Sequence, residues 1–285
     1  MNIIRRRRAL KGALVATAVA VATATVAGTA SAAGAGAEAY ETPRFSLYGV
    51  NKQTRELHEW YPDFEGGLEG MRMYADMSQV ADVIATDNDD DGYGEAEWTL
   101  YKDGTLDFFS ITGDDLDANN VGRGWNIYTT VLSPGSIGGA KEGDLIAVDK
   151  AGVLWSYLSY PDGRLTPRVR VGGGWNTYSQ IAGQGDLTGD GKADIVARDT
   201  TGVLWLYKGT GDYKAPFTGR TKIGSGWNTY DRLVSIGDIE FDGKVDLLAR
   251  KSNGDLYRYT GTGNASYPFR PAVKIGYGYQ GFNLL

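Results

Sequence analysis

A five-residue string, Gly-Trp-Asn-x-Tyr, occurs three times in this chain, at Gly124–Tyr128, Gly174–Tyr178 and Gly226–Tyr230, spaced by 50 and then 52 residues. A fixed period of that size belongs to chains built from repeated supersecondary units that bury their apolar faces against one another. Extending the period in both directions finds two degenerate copies, Gly70–Tyr74 and Gly278–Phe282. A second element, Gly-x-Leu-aromatic or a close variant, also occurs five times, ending at Trp60, Phe108, Trp155, Trp205 and Tyr257. The chain therefore holds five units.

The content of one unit sets the architecture. Between residues 227 and 275, four runs carry β-branched, aromatic and alternating residues separated by Gly, Asp and Asn turns, and they predict strands at Tyr230–Ile236, Asp246–Lys251, Asp255–Thr260 and Phe269–Ile275. Four antiparallel strands every 50 or so residues make a propeller blade. With 41 glycines in 285 residues and no sustained 3.6-residue periodicity, a helical repeat is excluded. The expected fold is all-β, a five-bladed β-propeller of four-stranded antiparallel blades. The units run approximately over 71–124, 125–174, 175–226 and 227–278, with 44–70 and 279–285 making the fifth. Because the Leu-aromatic element comes first and the Gly-Trp-like element last, the terminal segment Ile275–Leu285 is expected to supply the innermost strand of the blade begun by Phe45–Val50 and Leu57–Tyr61. Such sharing closes the ring and protects edge strands.

The first residues stand apart from this pattern. Arg5–Arg8 and Lys11 precede an Ala/Val/Thr run ending in Ala30-Ser31-Ala32, the form of a signal peptide with an A-x-A cleavage site, so residues 1–32 are expected to be removed on export. The arginines followed by Ala-Leu-Lys resemble a twin-arginine signal without its serine and phenylalanine, leaving Sec or Tat export open. After signal removal no membrane insertion is expected, residues 33–43 read as a flexible leader, and 44–285 form the propeller. The first 32 residues carry five basic and no acidic side chains, so the mature chain has 24 Lys and Arg against 35 Asp and Glu, a net charge of −11. That balance disfavours nucleic acid, whose binding relies on cationic side chains neutralising phosphate. It favours metal cations and neutral ligands. The absence of cysteine removes disulfides as a source of stability in an exported protein.

The acids are placed in repeats too. Three loops offer oxygen side chains at positions 1, 3, 5 and 9 and glycine at 6: Asp186, Thr188, Asp190 and Asp194; Asp238, Glu240, Asp242 and Asp246; and Asp87, Asp89, Asp91 and Glu95. This matches the first nine residues of the EF-hand loop, whose glycine permits the sharp turn and whose hard oxygens select Ca²⁺. Asp-Gly is also an ordinary turn signal, but three copies at one place in the repeat favour calcium. The middle unit, Ser136–Asp144, lacks acids at positions 1 and 5 and is expected to hold no ion.

With their downstream Ile195–Asp199 and Leu247–Arg250 segments, these loops resemble FG-GAP/VCBS-type repeats of secreted actinomycete proteins, in which the propeller often accompanies a hydrolase domain. Val171–Trp175 and Ile223–Trp227 resemble the Gly-Gly-Trp signature of tachylectin-2-like five-bladed lectins, with the double glycine kept only before Trp175. That second resemblance implies sugar binding between blades, with Trp125, Trp175 and Trp227 stacking on the sugar and Asn126, Asn176 and Asn228 hydrogen-bonding it. Against this stands the role of such tryptophans as filler between blades, and Trp155 and Trp205 are expected in the core.

No catalytic constellation accompanies these motifs. The one histidine, His58, sits in a predicted strand beside Glu59 and reads as a surface residue, and neither a nucleophile elbow nor a phosphate-binding glycine loop is present. The chain reads as a non-enzyme: a secreted binding module for a glycan or cell-surface polysaccharide, or a subunit or inhibitor that docks another secreted protein.

Overall fold

The computed structural model describes residues 42–285 except 90, 113–114 and 139–140. Residues 1–32, expected to form a signal peptide, and most of the expected leader lie outside the described residues. Among these, the chain forms five four-stranded antiparallel sheets. Blade 1 contains β1 (Leu47–Asn51), β2 (Glu56–Pro62) and β3 (Leu68–Asp76). Blade 2 contains β4 (Val80–Thr86), β5 (Ala96–Tyr101), β6 (Leu106–Thr112) and β7 (Asp115–Gly122). Blade 3 follows as β8 (Tyr128–Gly135), β9 (Asp144–Asp149), β10 (Leu154–Tyr157) and β11 (Val169–Gly172). Blade 4 is β12 (Tyr178–Ala182), β13 (Ile195–Asp199), β14 (Leu204–Tyr207) and β15 (Thr221–Gly224). Blade 5 is β16 (Arg232–Gly237), β17 (Asp246–Arg250), β18 (Leu256–Tyr259) and β19 (Val273–Gly276). The last strand, β20 (Phe282–Leu284), returns to pair with β1 and completes blade 1. The terminal strands thus share one blade, as the phase of the repeat implied.

The innermost strand of each blade, β20 in blade 1 and the first strand in the others, faces the centre, where β4, β8, β12 and β16 border a channel of about 160 Å³. Each blade buries alternate side chains against the next. Between blades 4 and 5, Val196, Leu204 and Leu206 pack on Leu233, Leu247 and Ala249, all at most 2% exposed. Burying a side chain of this size contributes about 1.5–3 kcal/mol, so the repeated seams hold the ring together.

Gly-Trp-Asn-x-Tyr has a specific place in this arrangement. Its glycine adopts left-handed φ of 88–89° and opens a 3₁₀ turn that tucks the tryptophan into the seam and delivers the tyrosine to the innermost strand. The tryptophan amide donates to a glycine carbonyl in the preceding blade: Trp125 to Gly104, Trp175 to Gly152, Trp227 to Gly202 and, in the last copy, Tyr279 to Gly254. In blade 2 the corresponding bond runs from Met77 to Arg55, and Met77 is 1% exposed. The first degenerate copy is therefore at Met77–Val80. The segment Gly70–Tyr74 is outer strand, because Arg72 pairs with His58.

Three further expectations change. The fourth strand of blade 5 begins at Val273; Phe269 instead joins a bridge to Gly261 and packs in the seam. Thr42 and Pro43, placed in the leader, are held down: Thr42 Oγ1 donates to Gly243 and the Pro43 carbonyl accepts from Asp238. His58 is half-buried between Trp60 and Phe282 rather than free on the surface.

Candidate functional site

All three acidic loops connect the first and second strands of a blade. In the Asp186 loop, one carboxylate oxygen accepts from the amides of Thr188 and Gly189 at 2.9 and 2.7 Å, and the other from Gly191 at 2.6 Å. Gly191 has φ of 77°, a left-handed conformation that side chains rarely adopt, which explains glycine at position 6. The turn brings Asp186, Asp190 and Asp194 together with carboxylate oxygens within 4.8 Å of one another. Thr188 Oγ1 is buried and makes no hydrogen bond. The loop of blade 2 gathers Asp87, Asp89, Asp91 and Glu95 within the same limit, and Glu95 Oε2 is buried without a partner. Burial, together with the charges of Asp87 and Asp89, pushes the Glu95 carboxyl up to about 8. Both loops therefore gather hard oxygen donors about one centre, with Lys208 Nζ 2.9 Å from Asp190 in blade 4.

The loop of blade 5 does not. Asp238 accepts from the amides of Asp242 and Gly243, as its counterparts do. But Glu240 turns to Arg258 at 2.5 Å and to Thr260 at 3.1 Å, and Asp242 turns to Lys244 at 3.4 Å. Phe241, at φ of 60°, stands where Gly189 stands in blade 4 and stacks on Phe64 with ring centroids 4.4 Å apart. The motif spacing is intact, yet ion pairs with Arg258 on β18 and with the adjacent Lys244 draw the acids away from a common centre.

The ninth position has a role that the motif did not announce. Asp194, fully buried, accepts from Leu187 at 3.0 Å with one oxygen and from Gly209 at 2.7 Å with the other. Asp246 does the same with Ile239 and Gly261, and Asp144 with Ile137 and Ser159. The aspartate thus ties the first interstrand loop to the end of the third strand. Asp144 keeps this clamp in the loop that lacks the other acids. Burial pushes Asp144 and Asp246 up to about 7 and Asp194 up to about 6.

The tryptophans are structural by position. Trp125, Trp175 and Trp227 are 8, 8 and 7% exposed, each ringed by tyrosines such as Tyr207, 4.9 Å from Trp175. As sugar-stacking platforms they are poorly presented, since little ring face reaches solvent. Trp155 and Trp205, expected in the core, are only half-buried: their indole N–H groups donate to Asp149 and Asp199 at 2.9 and 2.8 Å, and Arg168 and Arg220 lie over the rings at 4.0 and 4.1 Å. Asn126, Asn176 and Asn228 are exposed at the seams, where their side chains rest against Gly104, Gly152 and Gly202 of the preceding blade.

One seam opens into a pocket. Between blades 3 and 4, a cavity of about 210 Å³ is bordered by Thr130, Asp149, Lys150, Asn176, Gln180 and the edge of Trp175. Val148 borders it. In the next two seams the equivalent residue is arginine: Arg198 donates to the carbonyls of Trp227 and Tyr230, and Arg250 to those of Tyr279 and Phe282. The registers Val148↔Leu154, Arg198↔Leu204 and Arg250↔Leu256 make these positions equivalent. Valine cannot fill the space that the guanidinium occupies elsewhere.

Fold and loops together define the class, a five-bladed β-propeller carrying an FG-GAP-like repeat. Residues 186–249 match the FG-GAP-like repeat model. A comparison with curated proteins finds no match. Among solved structures, the BP39L lectin from Burkholderia pseudomallei is similar with a TM-score of 0.51 and 14% identity, over 83% of this chain and 71% of that one. A triple-arginine mutant of AofleA from Arthrobotrys oligospora gives 0.49 and 13%, over 83% and 73%. Prp20p from Saccharomyces cerevisiae, described with its binding to Gsp1p and histones, gives 0.37 and 12%, over 78% of this chain and 59% of that one. At these identities the likeness is one of fold.

Proposed function

We propose that this protein is a secreted, non-catalytic carbohydrate-binding module, lectin-like in its use of a seam between blades, with calcium bound in its acidic loops as a structural ion. The observation that carries the reading is the pocket that Val148 leaves open between blades 3 and 4. Its walls offer hydroxyl, amide, carboxylate and ammonium groups above an aromatic edge, the mixture that recognises a polyol by many moderate hydrogen bonds. At about 210 Å³ it lies below the range of roughly 300–1,000 Å³ of drug-sized sites, which fits a single sugar ring or its substituent. Asn176, Gln180 and Asp149 are the recognition residues in this reading, and Trp175 is the floor. An acidic chain has no electrostatic attraction to nucleic acid or anionic lipid, so neither is a partner here.

The calcium assignment rests on the donor sets of the Asp87 and Asp186 loops, with Glu95 Oε2 and Thr188 Oγ1 as the buried oxygens that lack partners. Carboxylates, a hydroxyl and main-chain carbonyls suit a hard divalent cation. An ion there would offset carboxylate repulsion and join the first two strands of blades 2 and 4. The Asp238 loop, with its acids engaged by Arg258 and Lys244, is not assigned an ion in the structure's present arrangement.

A glycan array with and without Ca²⁺ tests the function. Saccharide binding that Asn176→Ala removes without lowering the melting temperature supports it; no saccharide retained at any calcium concentration contradicts it. One observation favours a second reading, docking to another secreted protein: Phe64, 73% exposed, is stacked on Phe241 beside Arg44. Silence on the array together with a protein co-purifying from culture supernatant, lost on Phe64→Ser, supports that reading.

A further inference from the structure

The seam between blades 1 and 2 departs from the other four at one position of the shared register. In the register shared by all blades, Leu47, Leu145, Ile195 and Leu247 are equivalent, each paired with an aromatic residue of the third strand, and each at most 1% exposed. Each packs against an apolar residue of the preceding blade: Leu145 with Trp98 and Phe108, Ile195 with Ile146, Leu247 with Val196 and Leu206, and Leu47 with Leu248. In blade 2 this position is Glu97, paired with Phe109. The residues that blade 1 presents to it, by the same register, are Tyr48 and Glu59, where blade 4 presents Val196 and Leu206. An aliphatic contact has been replaced by two carboxylates and a phenol.

The two carboxylates are not neutralised by protein cations. Glu59 is 4% exposed and its Oε2 has no hydrogen-bond partner. Its remaining support is the Ser46 hydroxyl, and Glu97 has that of Thr99 at 3.3 Å. The register shared by the blades sets Glu97 against Tyr48 and Glu59 of blade 1. Farther out, Asp107 is engaged by Asn120 at 2.6 Å, and among the described residues no Lys, Arg or His contributes to the ionisation of either glutamate. A buried carboxylate oxygen without a partner, set against a second carboxylate, is unfavourable unless a proton or a cation lies between them. Ser46 and Tyr48 also line the central channel, which gives a small ion a path inward.

We propose that this seam holds a buried divalent-cation site, separate from the acidic loops, with Glu59 and Glu97 as carboxylate ligands and the hydroxyls of Tyr48, Ser46 and Thr99 as neutral donors. Two negative charges balance one divalent ion, and an all-oxygen donor set selects a hard one. The site joins blade 2 to the blade that the two terminal strands share, so the ion stabilises ring closure.

The test is the calcium content of the mature protein, reloaded with Ca²⁺ after chelation and freed of loose ion by gel filtration. In a loop variant carrying Asp87→Asn and Asp186→Asn, one Ca²⁺ per chain is expected to remain, and adding Glu97→Leu is expected to remove it. Glu97→Leu alone restores the aliphatic residue of the other seams, so it is expected to lower the count of the unaltered protein by one and to raise its melting temperature in EDTA. Loss of all calcium in the loop variant, or an unchanged count on adding Glu97→Leu, overturns the proposal. If the loop variant does not fold, an unchanged count in the Glu97→Leu single variant overturns it equally. A melting temperature that rises with acid in EDTA while Glu97→Leu leaves the count unchanged identifies a proton as the occupant and also overturns it.

Discussion

Replacing Asp144 with alanine isolates the clamp at the ninth loop position from any metal, because the acids at positions 1 and 5 are missing from that loop. Asp144 is 2% exposed and accepts from Ile137 and Ser159 at 2.9 and 2.8 Å. Alanine leaves both amides without an acceptor, at about 1–3 kcal/mol each, so about 4 kcal/mol together. The carboxyl's own ionisation opposes this cost. Burial pushes its pKa from 3.8 to about 7. A raised carboxyl pKa contributes stability that is complete below the unfolded value and is lost as pH climbs to the folded one, at about 1.4 kcal/mol per unit. At pH 5 the net effect of Asp144→Ala is then about 2–3 kcal/mol, a fall in melting temperature of about 5–10 °C for a domain of this size. Above pH 7 the two melting temperatures converge. Differential scanning calorimetry of both proteins from pH 4.5 to 8, in EDTA and in Ca²⁺, reads this directly. A deficit that widens with pH, or one that appears only with calcium, refutes the clamp as the role of Asp144.

Chelation is expected to lower the melting temperature of the unaltered protein; Asp186→Asn reduces that shift, and Asp238→Asn leaves it in place because Glu240 and Asp242 are already engaged by Arg258 and Lys244. Thermal scans with Ca²⁺ and EGTA check both halves. Arg250→Met strands the carbonyls of Tyr279 and Phe282 and leaves Asp231 without its 2.8 Å ion pair, so it loosens the C-terminal strand from the ring. Hydrogen exchange is expected to rise first in β20 and β1, and a rise confined to blade 5 contradicts the assignment. Trp175→Ala removes a seam filler and costs about 3–5 kcal/mol, whereas Asn176→Ala, at an exposed position, stays within about 0.5 kcal/mol. Urea unfolding separates the two, and equal costs contradict the division into floor and recognition residue.

The repeats made the ring, its blade number and the shared first blade legible, because Gly-Trp-Asn-x-Tyr and the Leu-aromatic element each mark a fixed point of a strand order. Local spacing carried less about sites. Asp238, Glu240, Asp242 and Asp246 have the same spacing as the blade 4 loop, but Arg258 lies on β18, the third strand of the blade, and the loop motif does not announce that it meets Glu240. Met77 carries no Gly-Trp signature, and its amide donates to the Arg55 carbonyl where the other seams offer a glycine carbonyl. Trp155 and Trp205 read as core by hydrophobicity, yet their indole N–H groups need acceptors and find Asp149 and Asp199 at the surface edge. The pocket at Val148 was visible only as a contrast with Arg198 and Arg250, which requires the strand register. Glu59 and Glu97 were obscure for the same reason: each is an ordinary acid in sequence and an exception only at its place in the seam.

The open seam between blades 3 and 4 is the centre of the functional reading, and Val148→Arg addresses it alone. Arginine there is expected to reach the carbonyls of Trp175 and Tyr178 as Arg198 reaches those of Trp227 and Tyr230, filling the cavity without loss of stability. Isothermal titration of the unaltered protein and of Val148→Arg with the saccharide retained on the array decides the matter. Binding abolished in a variant that melts at or above the original temperature is the predicted result; undiminished affinity in a folded Val148→Arg protein contradicts a seam site.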